Sequence, residues 1–157
     1  MTLILEKTNQ VEYHTDMNVM IQPFREELKS MNWFLSNQDY MLLDYEEKGD
    51  LDKLNHESPV IFFDGSELLE ILESRSIQFN WGVFCGTYEK VNFEDDQEIP
   101  YADSNPSIWT QPSEFLYPGS QIEIICFDST STIVKFRDRQ LAEKWNAEFI
   151  DAEELTI

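Results

Sequence analysis

QIEIICFDSTSTIVKFRDRQLAEKWNAEF, residues 121–149, is the stretch from which the fold can be read. QIEIICFD (121–128) and TIVKFRD (132–138) are rich in Ile, Val and Phe and are separated by Ser129-Thr130-Ser131, which predicts two paired strands. DRQLAEKWNAEF (138–149) then changes period. Leu141, Ala142, Trp145 and Phe149 fall on one helical face, and Asp138 stands where an N-cap belongs.

Upstream the same patterns recur without a regular strand–helix–strand period. NWGVFCGTY (80–88) reads as a strand in which Gly82 and Gly86 allow close packing or a bulge. PVIFFD (59–64) leads into DGSELLEILES (64–74), a helix with Asp64 and Glu67 at capping-box spacing and Leu68, Leu69, Ile71 and Leu72 on its apolar face. NWFLS (32–36) and DYMLLDY (39–45), separated by Asn37-Gln38, predict a β-hairpin with Asn37 at positive φ. Residues 16–30 show helical spacing interrupted by Pro23, which suits a first helical turn. SEFLYPG (113–119) reads as one or two helical turns ended by Pro118-Gly119. Residues 1–13 suggest an edge strand and the tail IDAEELTI a last strand. The expected fold is α+β: one domain over 1–157, a mainly antiparallel sheet with two or three helices on one face.

Charge decides the class of partner. Eleven Lys and Arg stand against thirty-one Asp and Glu, a formal net charge of -20. Sixteen of the acids lie in residues 1–78 and fifteen in 79–157, so the folded body is acidic and not merely a tail. Hydrophobic residues make up 41%, too many for a disordered acidic chain. Such a body repels nucleic acid and anionic membrane and attracts basic proteins. The N-terminal MTLILEKTNQ has an apolar patch of only three residues, so a cytoplasmic chain without signal peptide or membrane span is expected.

Motifs for chemistry are missing. His14 and His56 are the only histidines, both in polar surroundings, and no HExxH, GxSxG, P-loop or GxGxxG is present. Read from Asp44, DYEEKGDLDKLN places Gly49 at the sixth position of a calcium loop, but Lys48 takes a ligand position and Asn55 replaces the final Glu. Cys85 and Cys126 sit in apolar runs and are expected as buried thiols, their proximity undecided. No cofactor, metal or catalytic residue is assigned, and the chain is read as a non-enzyme.

The densest acidic cluster lies in the long Pro-containing stretch 89–113: Glu94, Asp95, Asp96, Glu98 and Asp103. Tyr88, Phe93, Tyr101 and Trp109 interleave with these acids, which resembles the anatomy of an interface, with aromatic anchors inside a charged rim. The alternative is a solvated excursion whose aromatics, Phe93 and Trp109, cover the core. As a binding face, Glu94, Asp95, Asp96, Glu98 and Asp103 steer and Tyr101 or Trp109 anchors. Two further acidic groups, Glu46, Glu47, Asp50 and Asp52, and Asp151, Glu153 and Glu154, are secondary candidates.

NWFLSNQDYMLL (32–43), GSELLEILES (65–74) and SEFLYPGSQIEIICFDSTSTIVKFRDRQLAEK (113–144) resemble, over about two-thirds of the chain, an uncharacterised Bacillus-type bacterial family, a domain of unknown function. The resemblance implies an α+β fold and transfers no functional residue; the acidic stretch 89–105 departs from its pattern. The functional expectation therefore rests on charge: an immunity protein or antitoxin that inhibits a basic toxin, a nuclease first of all, by occupying its phosphate-binding cleft. The competing expectations are a DNA mimic that blocks a DNA-binding protein and an acidic adaptor domain. No binding to DNA or RNA is expected from the chain itself.

Overall fold

The computed structural model describes residues 1–44, 54 and 58–157. Among the described residues seven strands form one sheet: β1 (Thr2–Leu5), β2 (Asn32–Leu42), β3 (Val60–Asp64), β4 (Ile77–Thr87), β5 (Ile122–Phe127), β6 (Ser131–Phe136) and β7 (Glu153–Glu154). Their order is β3-β2-β4-β5-β6-β1-β7, and every neighbouring pair is antiparallel. The fold is α+β, as expected. β1 is one place in from the edge, because the two-residue β7 pairs along its outer side.

One face of the sheet is covered by helices. These are α1 (Met17–Met20), a 3-10 turn (Gln22–Phe24) with Pro23 in its first positions, α2 (Arg25–Ser30), α3 (Gly65–Ser74) and α5 (Arg139–Glu148). The Asp64–Glu67 capping box is formed in both directions, and the Asp138 carboxylate accepts from the Gln140 N–H. Leu28, Leu68, Leu72, Trp145 and Phe149 pack onto Trp33, Phe79, Phe84, Ile124 and Phe136. Two buried indoles place their N–H on carbonyls at helix ends: Trp33 donates to Leu28 (2.9 Å) and Trp145 to Met20 (2.8 Å). Trp33 lies across Gly86, where a Cβ would come within 2.7 Å of its ring, so glycine permits this stacking.

Two local expectations are overturned. Residues 32–42 form one strand and not a hairpin. Both halves pair with the same partner, Phe34 opposite Cys85 and Tyr40 opposite Phe79, and the chain between them is absorbed as register shifts around Asp39. Asn37 does take a positive φ of 52°, but as part of a bulge in a continuous strand. An eleven-residue β4 offers both segments a ladder, which a hairpin closing on itself would forgo. Residues 113–119 form turns and bends, not helix. The Leu116 and Tyr117 amides and the Glu114 carbonyl bond to side chains of the sheet, as set out below.

The second face is covered by irregular chain. Phe34, Val60, Val83, Cys85, Ile125 and Ile133 are buried under Ala102 and Ile108, with Val91, Phe93, Ile99, Leu116 and Tyr117 packed around them. The one helical turn here is α4 (Ser107–Thr110). Cys85 packs on this face and Cys126 on the helix face, so the two thiols are buried, free and on opposite sides of the sheet.

Candidate functional site

The segment 88–121 crosses the second face, and the sheet grips it by side chains. Asn32 Nδ2 donates to the Tyr88 carbonyl (3.1 Å) and Thr87 Oγ1 to that of Glu89 (2.6 Å). Ser36 Oγ donates to the Pro100 carbonyl (2.7 Å). The bulge at Asn37 turns its Oδ1 to accept two consecutive backbone N–H groups, from Ala102 (2.8 Å) and Asp103 (3.0 Å). Asn105 closes the same turn, donating to Tyr101 O (2.8 Å) and accepting from Ser107 N (3.1 Å). A buried loop must find partners for its backbone, and here the sheet's polar side chains provide them.

On this support the acids face outward. Glu94, Asp95, Asp96, Glu98 and Asp103 are all exposed, and among the described residues none of them forms an ion pair. Glu94 and Gln97 close a turn through Gln97 N to Glu94 O (3.0 Å). Phe93 is drawn inward, edge-on to Phe34 (5.0 Å) and Tyr117 (5.9 Å), and covers the core. Tyr101 is 36% exposed beside the Asn37 clamp, and Trp109 37%, its ring edge-on to Phe127 (5.0 Å). Tyr101 and Asp103 thus sit over the bulge of β2, whereas Trp109 rests on the end of β5, so the chosen residues spread along the loop rather than converge on one point.

The last part of the loop is held by a charged pair absent from the sequence-based candidates. Glu123 and Lys135 stand opposite each other in register on β5 and β6, both with no exposed surface, Nζ 3.6 Å from Oε1. The Glu123 carboxylate accepts from the N–H of Leu116 (3.0 Å) and of Tyr117 (3.1 Å). Lys135 Nζ donates to the Glu114 carbonyl, Thr2 Oγ1 to Pro112 (2.7 Å) and Arg137 Nε to Ser120 (2.6 Å). Burial raises the Glu123 carboxyl above its ordinary value against the pull of Lys135, and burial lowers the Lys135 ammonium. Burial and the Glu123 charge also push the Cys85 thiol up, and its Sγ lies 3.8 Å from Glu123. Opposite charges at facing positions of a predicted hairpin were the available signal.

Glu46, Glu47, Asp50, Asp52, the calcium-loop reading and His56 fall wholly or largely outside the described residues. His14 is partly buried. Asp151, Glu153 and Glu154 are exposed at β7. Among the described residues no group of three His, Cys, Asp or Glu side chains is placed to hold a metal, and no helix is long and apolar enough to cross a membrane. Compared with family models, curated proteins and solved structures, the chain matches none.

Proposed function

We propose that this chain is an acidic inhibitor, of the immunity-protein or antitoxin kind, acting in the cytoplasm on a basic toxin. A nuclease is the partner that fits best, because its phosphate-binding cleft concentrates Lys and Arg. The observation that carries the reading is the outward display of five carboxylates on a loop held at both its middle and its end, next to the half-exposed Tyr101. A held loop loses little conformational entropy on binding, and unneutralised carboxylates raise the encounter rate with a cationic cleft. On this reading the chain acts by binding and blocking its partner, without catalysis of its own.

The test is capture from the native host at low salt, followed by a nuclease assay on any basic protein retained. Stoichiometric inhibition is expected. In that complex the triple change Glu94→Gln, Asp95→Asn, Asp96→Asn should lower the association rate and flatten its salt dependence. Tyr101→Ala should instead raise the dissociation rate, as loss of a desolvated anchor does. Retained proteins that keep full nuclease activity, or binding indifferent to both sets of changes, would refute the assignment.

A further inference from the structure

Among the described residues, the loop leaves one corner of the second face uncovered. There, between the start of β2, the end of β3 and residues 90–92, lies a groove of about 330 Å³. That is near the lower bound of small-ligand sites (~300 Å³), with room for one or two side chains. Fully buried Phe34 forms its floor, and Phe62, 44% exposed, and Val91 form its apolar walls. The rings are braced rather than loose: Phe34 to Phe62 6.2 Å, Phe62 to Phe93 6.2 Å, Phe34 to Phe93 5.0 Å.

The rim selects the occupant. Asp64 borders the groove on one side and Lys90 on the other, and the chain runs from its Asn92 wall directly into the exposed carboxylates of Glu94-Asp95-Asp96. Anionic ligands and nucleic acid are repelled from such a rim, and a second copy carrying a formal charge of -20 is disfavoured for the same reason. We propose that this groove takes an aromatic or large aliphatic side chain projecting from a basic segment of the partner protein. This rests on the inhibitor reading and deepens it. The carboxylates set the rate of encounter, and the groove supplies the apolar contact that holds the complex.

The experiment uses the intact chain and two synthetic nine-residue lysine-rich peptides, identical except for a central Trp or Ala, at low salt. The Trp peptide is expected to bind about tenfold more tightly, the order of one partly desolvated aromatic side chain. Its chemical-shift changes should centre on Val91 and Asn92. Phe62→Ala and Val91→Ser, on opposite walls, should each remove the preference while leaving the Ala peptide's affinity unchanged. Equal affinities for the two peptides, or a Trp preference that survives both variants, would overturn the groove while leaving the charge reading standing. If neither peptide binds, the basic-partner reading falls and the groove with it. A dimer in sedimentation that Phe62→Ala dissolves would assign the groove to a second copy and overturn the proposal.

Discussion

Glu123 shows how one residue can hold a loop without any regular structure. Its carboxylate satisfies two loop amides while Lys135, 3.6 Å away, satisfies a loop carbonyl. Removing one partner of a buried pair strands the other's charge, so Glu123→Ala should cost about 3–5 kcal/mol in urea unfolding. Adding Lys135→Met should cost less than the sum of the two single changes, because the stranded ammonium is gone. The pH dependence has a definite sign. Burial raises the folded Glu123 carboxyl, so its contribution is fully present below the unfolded carboxyl value and is lost as pH rises through the folded one. Wild-type stability measured relative to Glu123→Gln should therefore fall as pH rises from below to above the ordinary carboxyl range. A difference that rises over that range would show that the pair's attraction outweighs its desolvation.

At the scale of elements, the bulge in β2 couples the sheet to the candidate binding loop. Asn37 suits the left-handed region at φ 52° and uses its side chain to cap two loop amides. Asn37→Gly keeps the backbone conformation and loses only the clamp. Hydrogen exchange at Ala102 and Asp103 should then quicken about tenfold, equivalent to ~1.4 kcal/mol of local opening, with β4 and β5 unchanged. Asn37→Ala should lower global stability by about 1 kcal/mol more than Asn37→Gly, because a Cβ is strained there. Unchanged exchange at those two amides would mean that packing of Ala102 and Ile108, and not the clamp, holds the loop. Asn37's positive φ was legible from residue type. Whether it made a hairpin or a bulge was not, since that depends on β4, some forty residues further along the chain.

On the scale of the whole molecule, a formal charge of -20 surrounds a well-filled double-sided core. Self-repulsion of the shell opposes compaction, so the melting temperature should rise between about 20 mM and 200 mM NaCl as the Debye length shrinks toward 10 Å. A flat response would mean that the carboxylates are already neutralised by bound cations. By itself the sequence determined what neighbours in the chain can encode: the β5–β6 hairpin and its following helix, the Asp64–Glu67 cap, the burial of both thiols and the sign of the chain's own charge. Hydrophobic period and cap chemistry act within a few residues, and net charge needs no coordinates. Only the tertiary structure decided that 32–42 is one strand, that 113–119 stays irregular and that Glu123 and Lys135 lie in the interior. A polar residue on a strand faces water or a covering layer according to what distant chain folds over it, and the loop that covers this face carries no period that would announce it.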